Sequence, residues 1–185
     1  MEITKLGIKK IFIEVTTYCN FRCEFCPITL SSRKPQHMGF GLLSKVVDEI
    51  ARNKITDSIA FYLLGEPLVY PHIVEAVRHA RKRGLRAEIT TNGSLLTEER
   101  IQSLVDAGLN KITISLQQFG EADHSARRAP MEFDPYYRRI LQAVHLINRA
   151  DCQMDVVVMF MNSATKRFLD VDIPMRMSWD RASFE

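Results

Sequence analysis

The sequence predicts an α/β fold built on one parallel sheet. Five short apolar runs rich in β-branched residues recur along the chain, segments with helical spacing lie between them, and glycines and capping residues stand at the joints. Strands that alternate with helices imply right-handed crossovers and parallel pairing. An open doubly wound sheet and a curved partial barrel both satisfy this pattern. In either, functional groups collect just beyond the C-terminal ends of the strands.

The elements follow in order. The runs IFIEVTT (11–17), SIAFYLL (58–64), RAEITT (86–91), KITISL (111–116) and QMDVVVMFM (153–161) read as strands. Leu43, Val46, Val47 and Ile50 form one helical stripe, and Ile73, Val77 and Ala80 a second. Ile101, Leu104 and Val105 form a third, and Ile140, Val144 and Ile147 a fourth. Gly84 and Gly108 suit helix C-termini, whereas Thr97 and Asp134-Pro135 suit helix starts. No sixth strand is evident after the fifth run, and no repeat or interdomain linker interrupts the β-α rhythm.

With 185 residues, one domain is expected, spanning 1–185 with its motifs within 10–165 and a tail over 166–185. Hydrophobic residues at 46% and charged residues at 25% are ordinary for a globular chain. A net charge of +3 is too small to call for nucleic acid or an anionic membrane. The N-terminus lacks an uninterrupted apolar region, so neither a signal peptide nor a membrane anchor is expected, and a cytoplasmic location follows by default. In that reducing compartment, closely spaced cysteines are read as metal ligands or catalytic groups rather than disulfides.

The unusual residues fall at the strand ends. Three of the four cysteines, Cys19, Cys23 and Cys26, crowd into TTYCNFRCEFCP (16–27) after the first strand in a C-x3-C-x2-C pattern. Gly65-Glu66-Pro67 follows the second strand and Thr91-Asn92-Gly93-Ser94 the third. A long loop, QQFGEADHSARRAPMEF (117–133), follows the fourth, and Asn162 the fifth. Thiolates at this spacing can converge on a metal centre. A structural zinc site closes with four ligands, and no fourth is apparent, because Cys152 should sit at the opposite end of the sheet. Three thiolates can instead hold three irons of a 4Fe-4S cluster and leave the fourth open. Ordinary thiols are the remaining alternative.

The segment CNFRCEFC resembles the cysteine signature of the radical S-adenosylmethionine (radical SAM) enzymes, including the aromatic Phe25 before the last cysteine. GEP is similar to that superfamily's glycine-glutamate motif, and TTNGSLL, SLQQ and HSARRA (124–129) resemble its later motifs in the same order. The pattern looks most like the branch of peptide-modifying (SPASM-type) and molybdenum-cofactor-building enzymes.

The resemblance implies a partial (β/α) barrel with about five of the usual six units. It implies a 4Fe-4S cluster on Cys19, Cys23 and Cys26, whose open iron chelates S-adenosylmethionine, and formation of a 5'-deoxyadenosyl radical that takes hydrogen from an unidentified substrate. It also implies that Gly65, Glu66, Pro67, Thr91, Asn92, Ser115 and Asn162 line the cofactor, with Phe25 near the adenine. Arg128 matches the superfamily's arginine and would pair with the cofactor's carboxylate, with Arg127 as its rival. The electron donor would be a flavodoxin or ferredoxin, and the substrate a small molecule or a peptide. Ala129 and Gln117 replace the superfamily's usual glycine and aspartate, and the short C-terminus keeps open a second reading, a noncatalytic or truncated cluster-binding remnant acting through a partner.

Overall fold

The computed structural model describes residues 7–116, 124–150, 152–160 and 176–177. In chain order the elements are β1 (Ile11–Phe12), α1 (Phe40–Arg52), β2 (Ser58–Ala60), α2 (Ile73–Lys82), β3 (Arg86–Thr91), α3 (Glu98–Asp106), β4 (Lys111–Ser115), α4 (Phe133–Arg149), β5 (Asp155–Met159) and β6 (Arg176–Met177). Short 3-10 turns cover Pro27–Leu30 and Pro67–Val69.

The sheet order is β1-β2-β3-β4-β5-β6. The first five strands pair parallel, each with its successor. Such an order has no switch point, where a doubly wound sheet reverses direction. Each helix also packs on the next, α1 on α2, α2 on α3 and α3 on α4, so all four line one side of the sheet. This is the connectivity of a partial (β/α) barrel, and it resolves the choice that the periodicity left open.

Each strand's alternation divides its residues between the two faces. Ile59, Phe61, Ala87, Ile89, Ile112, Ile114 and Val158 are buried toward the helices, against Leu43, Val47, Ile73, Val77, Ala80, Leu104, Ile140 and Val144. The other face mixes polar and charged residues with a few apolar ones. Phe12, Ala60, Glu88, Lys111 and Asp155 stand level with one another across five strands. Glu88 there takes an ion pair from Lys10 and a hydrogen bond from the Ser58 hydroxyl at 3.3 Å, and Arg86 lies 3.6 Å from Asp155.

Local signals explain most boundaries. Thr97 caps α3 by accepting from the Arg100 N–H, while Gly84 and Gly108 leave α2 and α3 with φ of 78° and 82°. Helix α4 begins at Phe133, one residue before the expected Asp134-Pro135 start, with Glu132 at the cap. The first run is shorter as a strand than expected. Beyond Ile13, whose N–H still donates to Ala60, the chain leaves β2 and turns to residues 36–38: Thr17 N donates to Gln36 O and Met38 N to Val15 O. The expectation of no sixth strand is corrected. Arg176 and Met177 pair antiparallel with Met159 and Val158, a two-residue ladder too short to carry a sequence period.

Ile112 lies at the centre of this core with no exposed surface. We expect Ile112→Ala to lower unfolding free energy by about 2–5 kcal/mol, read as a fall in the urea midpoint. An unchanged midpoint would mean that the sheet-to-helix layer is not the core described.

Candidate cofactor site

The C-terminal edge of the sheet carries the cysteine loop, and its neighbours fix that loop closely. Gly65 lies so near β1's continuation that a Cβ added there would stand 2.1 Å from the Thr16 carbonyl oxygen. The next N–H, that of Glu66, donates to Tyr18 O at 2.8 Å. Glycine is therefore required here for approach to the protein's own backbone at the entry to the cysteine loop.

Glu66 is 3% exposed, and its carboxylate joins two strand ends. One oxygen accepts from the Thr91 hydroxyl at 2.6 Å and from Leu68 N at 3.0 Å, and the other from Asn92 N at 2.7 Å. Burial pushes this carboxyl above its ordinary range, against the pull of the Asn92, Thr91 and Leu68 donors and of the Arg127 charge.

From the TNGS turn, the network crosses to the cysteines. The Asn92 side-chain amide donates to Asn20 Oδ1 at 2.9 Å, and the Asn20 amide donates to Ser94 Oγ at 2.8 Å. Asn92 Oδ1 accepts in turn from the Ser94 hydroxyl and N–H. Gly93 takes a left-handed φ of 79°, and a Cβ there would have to displace Ile140 Cδ1, 2.3 Å away. The turn is thus pressed against α4.

The far side of the loop is held by residues 124–128. Arg22 N donates to Arg127 O at 3.3 Å and Glu24 N to Ala126 O at 2.9 Å. Arg127 is 2% exposed, and its guanidinium lies 4.7 Å from the centroid of Phe21, which sits between the first two cysteines. It donates to Leu116 O at 2.7 Å and to the Tyr136 hydroxyl at 2.8 Å, and that hydroxyl donates to Asn92 O at 2.6 Å. Burial pushes the Tyr136 hydroxyl up to about 12.

Cys19, Cys23 and Cys26 are free, half-buried thiols on this pinned loop. Burial pushes Cys19 up to about 11, opposed by the Phe21 N–H that donates to its sulfur at 3.4 Å. Among the described residues, no three His, Cys, Asp or Glu side chains converge tightly enough for a single metal ion. A donor set of three thiols with no fourth ligand among the described residues fits a cluster with one open iron better than a closed four-ligand zinc site.

The sequence-predicted residues divide accordingly. Gly65, Glu66, Pro67, Thr91 and Asn92 are brought together beside the cysteine loop, and Ser115 is buried at the end of β4. Phe25 is half exposed. Arg128 lies at the surface with its Nη2 2.9 Å from Glu24, and the left-handed turn of its loop falls on Arg128 itself, at φ 45°. Its rival Arg127 is the arginine that turns inward. Cys152 precedes β5, away from the cysteine loop, as expected. Asn162 and Gln117 lie outside the described residues.

Sequence reasoning missed Asn20, Phe21 and Tyr136. The α4 stripe offered a signal for one of them, because Tyr136 lies four residues before Ile140 on the same face.

The chain is thus a singly wound β/α sheet with a closely framed three-thiol loop at its C-terminal edge. The sequence matches the Radical SAM superfamily over residues 13–163, and the chain belongs to that superfamily. Its members bind a 4Fe-4S cluster and S-adenosylmethionine.

The chain is 33% identical over 109 residues to the tungsten-containing aldehyde ferredoxin oxidoreductase cofactor-modifying protein of Pyrococcus furiosus, covering 59% of this chain and 31% of that protein. It is 33% identical over 120 residues to the PqqA peptide cyclase of Bradyrhizobium diazoefficiens, covering 63% and 31%. The fold resembles that of BtrN in complex with AdoMet and 2-DOIA, with a TM-score of 0.61 at 22% identity, over 85% of this chain and 58% of that one. The chain thus spans 31% of the length of each of these two relatives.

We expect Glu66→Gln to lower stability by about 1–3 kcal/mol, because its amide would set a donor against a donor among Leu68 N, Thr91 and Asn92 N. Urea unfolding of the cluster-free protein checks this. An unchanged midpoint would show that the carboxylate is not the joint described.

Proposed function

We propose that this chain is the single core domain of a radical SAM enzyme, holding a 4Fe-4S cluster on Cys19, Cys23 and Cys26 with S-adenosylmethionine beside it. The observation that carries this reading is the three-thiol loop, framed by Gly65, Glu66 and Asn20–Asn92 at the edge of a singly wound sheet. Cys19, Cys23 and Cys26 would hold the cluster, which when bound would supply the single electron for reductive cleavage of S-adenosylmethionine and so the hydrogen-abstracting chemistry of the superfamily.

The protein's own residues bind, orient and shield. The loop's backbone bonds to residues 126–127 fix where the cysteines stand, and the buried Phe21 and Tyr136 rings keep water from its inner side. Glu66 has its carboxylate engaged by three donors of the chain, so its part is to set the rim's shape. The Gly65-Glu66-Pro67 backbone then offers carbonyls to the cofactor's ammonium group, and Thr91, Asn92 and Ser115 flank the same edge. Phe25 and Asn162 are assigned to the adenosine portion. For Arg128 to reach the cofactor's carboxylate, it must leave Glu24.

A flavodoxin or ferredoxin would supply the electron. The substrate is a peptide or a small molecule, since the named relatives include a peptide cyclase and a cofactor-modifying protein. No helix among the described residues is long and apolar enough to cross a membrane, in keeping with a cytoplasmic site of action.

The test is anaerobic reconstitution followed by dithionite reduction with S-adenosylmethionine. We expect 5'-deoxyadenosine from the wild-type chain, and loss of both bound iron and product in Cys19→Ala, Cys23→Ala and Cys26→Ala, with Cys152→Ala retaining both. Iron that survives all three substitutions would contradict the ligand assignment. A full cluster that gives no 5'-deoxyadenosine would contradict the activity.

A further inference from the structure

Arg127 is a cation that the protein alone leaves poorly compensated. The residue is 2% exposed, and a buried charge is costly unless an opposite charge and a full set of hydrogen bonds meet it. The partners in contact are neutral: the Leu116 carbonyl, the Tyr136 hydroxyl and the rings of Phe21 and Tyr136. Its Nε is buried without any hydrogen-bond partner, the one such side-chain atom among the described residues. No described carboxylate forms an ion pair with it. Glu66 acts on it only through space, and that carboxylate is already shared among three other donors.

The charge nevertheless stands directly behind the cysteine loop. Phe21, on which the guanidinium stacks, follows Cys19 by two residues and precedes Cys23 by two, and its N–H donates to the Cys19 sulfur. The backbones of the two segments are joined at Arg22–Arg127 and Glu24–Ala126.

We propose that Arg127 is a positioning residue for the cluster, and that its buried charge is the counter-charge of the thiolate-bound cluster and favours its reduced state. This rests on the reading that Cys19, Cys23 and Cys26 hold a cluster. Net charge around an iron-sulfur centre is one of the determinants of its potential. Adding an electron makes the centre more negative, so a fixed cation behind the loop stabilises the reduced form more than the oxidised one. The neighbouring Arg128, paired with Glu24 in solvent, is screened and has no comparable effect.

The experiment compares wild-type protein with Arg127→Lys, which keeps the charge, and with Arg127→Gln and Arg127→Met, which remove it. Each cluster-free chain is first melted to establish that it folds. Iron and sulfide are then counted after reconstitution, and the midpoint potential is read by redox titration followed by electron paramagnetic resonance. In the neutral variants we expect the one-electron equilibrium to move at least tenfold toward the oxidised cluster, about 59 mV more negative. Arg127→Lys should stay close to wild type.

Equal potentials in all four proteins would overturn the inference. So would a shift in Arg127→Lys as large as that in Arg127→Gln, which would assign the effect to the guanidinium's shape rather than its charge. Failure of both neutral variants to fold without cluster would make Arg127 a structural prop and overturn it as well. A wild-type chain that takes up no cluster would sink both this inference and the reading beneath it, whereas a loaded wild type with unshifted variants sinks only this one.

Discussion

The Glu66 carboxylate and the glycine before it are what the site depends on. Gly65 lets the loop after β2 press against the Thr16 carbonyl, and Glu66 then ties that loop to the end of β3 through Thr91 and Asn92. Asn92 carries the connection to Asn20 inside the cysteine loop. The first three strand ends therefore act as one rigid piece, and the thiols inherit their positions from it. A cluster loop left to itself would lose conformational entropy on binding, whereas here the surrounding hydrogen bonds have already fixed much of the backbone.

The second frame lies on the other side of the loop. Residues 126 and 127 pair with the loop's backbone, and Arg127 gathers β4, α4 and Phe21 around one guanidinium. The two frames meet at Asn92, whose side chain belongs to the first and whose carbonyl accepts the Tyr136 hydroxyl of the second. The site thus sits where a polar network and a cationic-aromatic cluster share one residue. Both are buried, and in a low dielectric such contacts are strong when satisfied and costly when broken.

Much of this was legible in the sequence. The four helical stripes, the Thr97 cap and the two helix-ending glycines were readable because each rests on local periodicity or backbone chemistry. The cysteine spacing and the order of strand-end motifs pointed to the cluster and its edge of the sheet. What the sequence withheld depends on contacts between distant segments. The Thr91 and Asn92 donors on the Glu66 carboxylate and the close approach of Gly65 to Thr16 join segments about 25 to 50 residues apart, which no local pattern encodes. That Arg127 turns inward while Arg128 takes the left-handed conformation and faces Glu24 is likewise encoded by neither propensity nor motif register. β6 is two residues long and carries no pattern at all.

The central claim is that three thiols on this framed loop hold a 4Fe-4S cluster with one iron left open for S-adenosylmethionine. The electron paramagnetic resonance spectrum of the anaerobically reconstituted, dithionite-reduced protein, recorded with and without S-adenosylmethionine, tests it most directly. The account predicts a reduced 4Fe-4S signal that changes when the cofactor is added. A cluster signal that the cofactor leaves unmoved, or the absence of any iron signal, would contradict it.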